Sequence, residues 1–498
     1  MSDYENLHSF AKGALYIAGE WTVPTGNARI DVINPANEAL LGRACLGSQR
    51  EIEFAIAAAR DAFDRGPWPR LSVEQRVAYL EKMHDFLMSK QAAIVPLIMA
   101  EAGATAALGN YLHFQIPMKH AAYLLKEAQR IQPTTSQIEI TPSMTGKKVL
   151  GSAVTVHDPL GVVAAITPYN FPFFLNVIKV FHALVMGNTL ILKPSPLTPF
   201  EALIFGEAAQ AAGLPRGVLN IVTGDIEAAQ QLTTDSRIDM VTFTGSDKVG
   251  AQIAAQAAPS LKKLHLELGG KSALIVRDDA DLVAAAHAGV GSFTIHCGQG
   301  CALTTRHLVH NAVRPRYVAL LAELASGMKV GDPVDPTVTM GPLIRATARD
   351  RVERYVALGH ESGARLVTGG ERPAGLERGF FYLPTLFDDV DNRSAIAQEE
   401  IFGPMGVVIG FDTDEEAIAL ANDSAFGLDG GIFSTDVGRA YEMALQLRTG
   451  GVGLNGGAGT MLSGVPFGGI KRSGLGRENG REGLLEFTAP KSITFHAG

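Results

Sequence analysis

The sequence predicts an α/β fold made of two parallel-sheet units. Apolar runs of strand length, GVVAAITP, NTLILKP, VLNIVTG and MVTFTG, each end in Pro or Gly and are each followed by a helix-like stretch. Such alternation marks parallel strands joined by crossover helices. The pattern resumes beyond residue 267 with SALIVRD, TRHLVHN and GVVIGF, so the two units join near 267.

Taken in order, residues 51–63 (EIEFAIAAARDAF) and 74–88 (EQRVAYLEKMHDFLM) place apolar side chains at helical spacing and predict two helices. Residues 135–158, rich in Thr, Ser, Val and Ile, predict a hairpin excursion, and 484–497 (LLEFTAPKSITFHA) predicts an extended segment. The longest apolar stretch, 160–194, is broken by Pro168, Asn170, Pro172 and Lys179. It therefore predicts buried core and not a membrane span.

Composition narrows the function class. At 498 residues the chain exceeds a single small core, and its net charge of −8 offers nothing to nucleic acid or to an anionic membrane. The first ten residues, MSDYENLHSF, lack the order of a signal peptide. Three cysteines cannot make a disulfide framework. A cytoplasmic enzyme or a large soluble binding protein is expected.

Three motifs invite a phosphate. GVGLNG (451–456) matches a dinucleotide fingerprint in letters, but a helix-like segment precedes it where a strand is needed, so it reads as a turn. GGKS (269–272) lacks the earlier glycine of a P-loop, because residue 265 is His265. FTGSDKVG (243–250) runs from a strand into a helix through Gly245 and Ser246, which suits either a phosphate or a plain N-cap.

HCGQGC (296–301) carries two of the three cysteines. C-x₃-C alone is too few ligands for a metal, so none is expected. The glycines allow close approach to a ligand, and GQGCALTTR predicts a helix start whose free N–H groups would favour a thiolate. These residues favour Cys301 over Cys297 as a nucleophile and leave both open.

Seven segments occur together in a familiar order: ITPYNFPFF (166–174), ILKPSPLTP (191–199), FTGS (243–246), LELGGKS (266–272), GQGC (298–301), EEIFGP (399–404) and PFGGIKRSG (466–474). On them the chain resembles the NAD(P)-dependent aldehyde dehydrogenase superfamily along nearly its whole length. The resemblance implies an aldehyde-dehydrogenase-like fold: a Rossmann-type cofactor domain (1–132 and 155–266), an α/β catalytic domain (267–470) and a small β oligomerisation arm (133–154 and 480–498). It implies Cys301 as nucleophile, Glu267 as general base and Asn170 as oxyanion donor. Ile166, Pro168, Tyr169, Lys193, Ser195, Gly245, Ser246, Leu268, Gly269, Glu400 and Phe402 would hold the cofactor. The implied reaction is oxidation of an aldehyde to the acid through a cysteine thiohemiacetal and a thioester hydrolysed by water.

The departures from the pattern are informative. His296 stands where many members carry Asn, Tyr169 where Trp is common, and Ile226 where Gly is frequent. Pro196 replaces a Glu that grips the adenine ribose in NAD-preferring members. NAD is the expected cofactor, with NADP left open. Phe171, Leu175, Ile178, Thr294 and Ile295 fall at tunnel-lining positions. All are apolar or small, which implies an uncharged, hydrophobic aldehyde. A CoA-acylating dehydrogenase commonly lacks the carboxylate at Glu267. A cysteine hydrolase using Cys301 with His296 would not need LELGGKS or Lys193, and a non-catalytic structural protein would not need Cys301, Glu267 and Asn170 together. Pairing of the exposed arm edge predicts a homodimer or homotetramer.

Overall fold

The computed structural model describes residues 14–497, so residues 1–13 and 498 of the expected domain spans lie outside the described residues. Both predicted helices form, as Gln49–Asp64 and Val73–Ser89. Each opens on a serine capping box, Ser48 with Glu51 and Ser72 with Gln75, which satisfies donors the first turn would otherwise leave unbonded.

The apolar runs before residue 267 build an eight-stranded sheet. Its order is Glu20–Thr22, Leu15–Ile17, Leu219–Ile221, Thr189–Lys193, Val162–Ile166, Met240–Thr244, Lys263–Glu267 and Gly474–Leu475. The five middle strands are parallel, and the flanking strands are antiparallel. Alternation divides the core between two faces. Val163, Ala165, Leu190 and Leu192 pack in one apolar cluster, whereas Val162, Ala164, Ile166 and Ile191 pack in another. The broken apolar stretch becomes a strand followed by the helix Pro172–Val185, with Pro172 in the first turn and most of its side chains buried. No helix among the described residues is long and apolar enough to cross a membrane.

The second sheet runs Arg365–Thr368, Thr385–Asp388, Met405–Phe411, Arg306–His310, Ala273–Val276, Gly430–Phe433 and Gly453–Leu454. All its neighbours are parallel except the first pair. GVGLNG forms the edge strand Gly453–Leu454 and a turn, with no helix opening on it. The excursion forms strands Thr134–Thr135, Glu139–Pro142 and Lys148–Pro159, and the last of these pairs with Thr488–Ala497 over ten residues.

The tail departs from expectation in one respect. Residues Gly480–Glu486 form a helix, not an extended segment. Leu484 is buried, and with Phe487 just beyond the helix it packs into the cluster shared with Val163 and Phe173. Burial of those two side chains favours a helical turn there over an exposed strand. The extended tail begins at Thr488.

Candidate active site

Among the five parallel strands of the first sheet, chain order reverses between Val162–Ile166 and Met240–Thr244. Ligands of open parallel sheets bind beyond the carboxyl ends of the strands at such a reversal. The sheet register carries the predicted residues to that edge. Ile166 lies opposite Lys193, Phe243 opposite Ile166, and Thr244 opposite Glu267. Thus Pro168, Tyr169 and Asn170, then Ser195, then Gly245 and Ser246, then Leu268 and Gly269, all leave the sheet from neighbouring strand ends.

The helix Leu282–Thr294 ends just before the thiol, and a tight turn follows at Ile295–Gly298. His296, Cys297 and Gly298 have φ of 50°, 55° and 72°. A Cβ on Gly298 would run into the Gly403 carbonyl, so only glycine fits there. Gln299, fully buried, locks the turn. Its amide donates to the His296 carbonyl (3.0 Å) and its side-chain oxygen accepts from the Ile344 N–H (3.0 Å). The Asn170 Nδ2 donates to the Gln299 carbonyl at 2.8 Å, which brings this amide to the loop bearing Cys301.

The expected helix start at Cys301 is not there, because three left-handed residues turn the chain and an irregular segment follows. Among the described residues no helix N-terminus lies at Cys301 to favour a thiolate. Burial pushes the Cys301 thiol well above its usual pKa, and the charges of Glu267, Glu400 and Glu478 push it further. Cys297 is 1% exposed and packs with Ile275, Leu308 and Met405. Burial raises its pKa too, as befits an inert core thiol.

Glu267 is buried, and neither carboxylate oxygen has a hydrogen-bond partner among the described residues. Burial raises its pKa well above the usual range. Glu478 adds to this, while the charges of Lys179 and Arg477 oppose it. Behind it the Lys179 ammonium donates to Glu478 and to the Thr242 hydroxyl, both at 2.9 Å, and that hydroxyl lies 2.9 Å from His265 Nδ1. This buried chain connects four elements that are far apart in sequence.

The donor set at the same edge fits a dinucleotide. Lys193 is 4% exposed, and among the described residues its ammonium bonds only to the Pro194 carbonyl, at 3.4 Å. Burial lowers its pKa to about 8, against the pull of Asp225. Ser246 caps the helix Asp247–Ala257 through the Val249 N–H, so the N-cap reading of FTGS holds and the helix N-terminus faces the strand ends. Glu400 accepts from the Gly270 N–H at 3.1 Å, and burial lifts its pKa to about 7. A Cβ on Gly269 would strike the Glu400 carboxylate. Phe402, at φ 57°, meets Tyr169 edge-on at 6.1 Å. The Ser195 hydroxyl accepts from the Leu197 N–H, while Ile166 and Leu268 are buried in the cluster beneath.

The five tunnel positions are treated unequally by the fold. Phe171 stacks on His113 at 4.7 Å and leans on His296 at 5.3 Å. Leu175 is half-buried, Ile178 fully buried and Ile295 exposed. The Thr294 hydroxyl is turned back onto the Val290 carbonyl at 2.7 Å. A small cavity lined by Lys271, Arg306 and Asp429 contains none of Cys301, Glu267 or Asn170. Among the described residues no cluster of three His, Cys, Asp or Glu could hold a metal. Sequence reasoning missed Gln299, Lys179, Glu478, Gly270 and His113. Gln299 was within reach as the polar member of a glycine-rich run, whereas His113 carries no local signal.

Comparison with known proteins accords with this arrangement. The aldehyde dehydrogenase family model matches residues 21–493. A 3-succinoylsemialdehyde-pyridine dehydrogenase of a Pseudomonas species is 37% identical, over 97% of this chain and 98% of its own. An aldehyde dehydrogenase of Mycobacterium tuberculosis, solved with NAD+, is 42% identical over 96% of this chain and 97% of its own, with a TM-score of 0.91. A mutant of aldehyde dehydrogenase C from Pseudomonas syringae, solved with NAD+ and octanal, is 34% identical over 97% of both chains, with a TM-score of 0.89. With the seven motifs gathered at one sheet edge and a family model spanning nearly all of the sequence, the chain belongs to the aldehyde dehydrogenase family.

Proposed function

We propose that the protein oxidises an uncharged, mainly apolar aldehyde to its carboxylic acid with NAD, using Cys301 as nucleophile. The observation that carries this reading is the meeting of Cys301, the Asn170 amide and a buried Glu267 with both oxygens unpartnered at one sheet edge. The NAD+ in the M. tuberculosis and P. syringae structures supports the cofactor, and the octanal supports an apolar substrate.

The Cys301 sulfur adds to the carbonyl carbon and gives a tetrahedral thiohemiacetal. Its oxyanion takes the Asn170 amide and the Cys301 N–H, each such donor contributing about 3 kcal/mol to the barrier reduction. NAD, held by Lys193, Ser246 and Glu400, supplies a hydride acceptor when bound. Loss of hydride from the carbon leaves a thioester on Cys301. Glu267 takes a proton from water, the oxygen attacks the thioester carbon, and the carbon–sulfur bond breaks to release the acid and restore the thiol. Burial favours the protonated forms of both Cys301 and Glu267, so each must give up its proton to solvent before it acts as nucleophile or base. The Glu267 carboxylate also favours water over CoA as the acyl acceptor.

The proposed division into cofactor domain, catalytic domain and arm is supported by the eight-, seven- and four-stranded sheets, with the arm's tail taken to begin at Thr488. The arm exposes Ile138, Ile140, Met144, Leu150, Ile493 and Phe495, an apolar strip suited to a second copy in a dimer or tetramer. Three free cysteines accord with a cytoplasmic setting.

The test follows reduced nicotinamide on mixing the protein with octanal and either NAD or NADP. Wild type is expected to form NADH, and Cys301→Ala none. Absence of reduced cofactor from wild type across aliphatic and aromatic aldehydes would overturn the reading.

A further inference from the structure

One hydrogen bond ties together the two ends of the loop that presents Asn170. Strand Val162–Ile166 stops just before Thr167, and helix Pro172–Val185 starts just after Phe171. The Thr167 hydroxyl donates to Oδ1 of Asn176, in that helix, at 2.7 Å. Pro168, Tyr169 and Asn170 lie between the two anchors. The Asn176 amide is itself held from behind. Its Nδ2 donates to both oxygens of Glu201, at 2.9 and 3.2 Å, which leaves Oδ1 to face Thr167.

Glu201 lies in the first turn of helix Phe200–Ala212, whose N-cap, Pro199, makes no side-chain cap bond. Glu101, from helix Gln91–Ala102, supplies the missing acceptor. Its two carboxyl oxygens accept from the Phe200 and Glu201 N–H groups, at 2.8 and 3.2 Å. Glu101, Asn176 and Glu201 are each 0% exposed, and Thr167 is 4% exposed. Burial raises both carboxyl pKa values, Glu101 to about 8, and the charge of Glu101 raises Glu201 further, so Glu201 favours its neutral form. The helices that carry these groups also carry Leu97, Phe173, Val177 and Phe200 of one apolar cluster. A polar network inside such packing specifies a single arrangement when each member is bonded, as these four side chains are.

We propose that Glu201 is a positioning residue for the oxyanion donor. Acting through Asn176 and Thr167, it holds closed the loop that aims Asn170 at the reacting carbonyl. This rests on the reading of the chain as an aldehyde dehydrogenase acting through Cys301 and Asn170. The part of Glu201 is to orient one amide so that the loop carrying another stays in place.

The test measures kcat and KM with NAD and octanal in two variants. Glu201→Met removes the acceptor at similar length, and Glu201→Gln keeps an oxygen for the Asn176 amide and the neutral form. Glu201→Met is expected to lower kcat about tenfold, since a misplacement of about 1 Å can cost about 10²-fold. Its KM for NAD is expected to stay within about twofold, because an interaction made only in the transition state is lost from kcat. Glu201→Gln is expected to stay within about twofold of wild type in both constants. A loss carried through Asn170 is non-additive with removal of Asn170. In an Asn170→Ala background, Glu201→Met should therefore cost less than about a further twofold. Thr167→Val removes the donor and keeps the shape, so it cuts the same chain if Glu201→Met does not fold, and the same losses are expected of it. An equal fold-loss in both backgrounds, or wild-type kcat in Thr167→Val, would overturn this inference alone. Turnover of no aldehyde by wild type would overturn it together with the proposed function.

Discussion

Replacing Lys179 with Met tests both the packing and the chemistry behind Glu267. Its ammonium is 2.9 Å from a Glu478 oxygen, and the two side chains are 1% and 4% exposed. Methionine keeps the length of the side chain and removes the charge. The Glu478 carboxylate is then buried without its cation. Burial tends to raise its pKa, and Lys179, with help from His265 and His182, is what holds it low. Breaking a buried pair from one side costs about 3–5 kcal/mol. With a urea slope near 3 kcal/mol per molar, the unfolding midpoint should fall by about 1–1.7 M. Tryptophan fluorescence is a fitting probe, because Trp68 is fully buried in the cluster that also holds Val177 and Val180 of the Lys179 helix. Adding Glu478→Gln should recover at least half the loss, since no charge then remains buried. Lys179→Met alone also removes a group that pulls the Glu267 pKa down. A general base works deprotonated, so the acidic limb of the kcat profile should move to higher pH. A loss below about 1 kcal/mol would refute the role given to the pair. A limb that stays put or moves to lower pH would refute its link to Glu267.

Three further outcomes are expected. Glu267→Gln should stall after a first burst of NADH and also stabilise the fold. The folded carboxyl has a pKa raised above its ordinary 4.5, so the stability it contributes is complete below that value and is lost as pH rises through the folded pKa. Melting temperatures should therefore favour the variant more at pH 8 than at pH 5, and a gap that narrows with rising pH would contradict this. Asn170→Ala should lower kcat about 10²-fold or more in steady-state assays, through loss of an oxyanion donor. Gly270→Ala would set a Cβ 2.5 Å from the Cys301 carbonyl oxygen, and a shift of the nucleophile by about 1 Å should cost about 10²-fold in kcat. Unchanged kcat in Gly270→Ala would mean that the loop yields without moving the sulfur.

The alternation of strands and helices was legible because each parallel strand is buried on both faces and so reads as an unbroken apolar run, as in VVAAI and TLILK. Most candidate site residues were legible as motifs, because strand ends must turn sharply and Gly, Pro and Ser mark those turns. Two errors have local causes. The supposed helix start at Cys301 came from a run compatible with helix, but Cys297 adopts positive φ beside His296 and Gly298, and no propensity of cysteine announces that. The helix Gly480–Glu486 has seven residues and one buried apolar side chain, Leu484, besides its glycines, too short for periodicity to register. The Lys179–Glu478 pair and the His113–His296 contact join residues brought together only by the finished fold. Pattern within a window cannot carry them.

The first sheet takes its outer strand Gly474–Leu475, and its buried cation takes a counterion, from a part of the chain made long after the rest. Glu478 follows Lys179 by 299 residues, which at 5–20 residues per second is about 15–60 s of translation. Throughout that interval the Lys179 ammonium has no Glu478 carboxylate to meet, and from its own synthesis until Gly474–Leu475 follows, the strand Lys263–Glu267 is a bare edge. The sheet's last strand and its counterion arrive only once the second sheet has been synthesised, so until then an open strand edge is available for pairing.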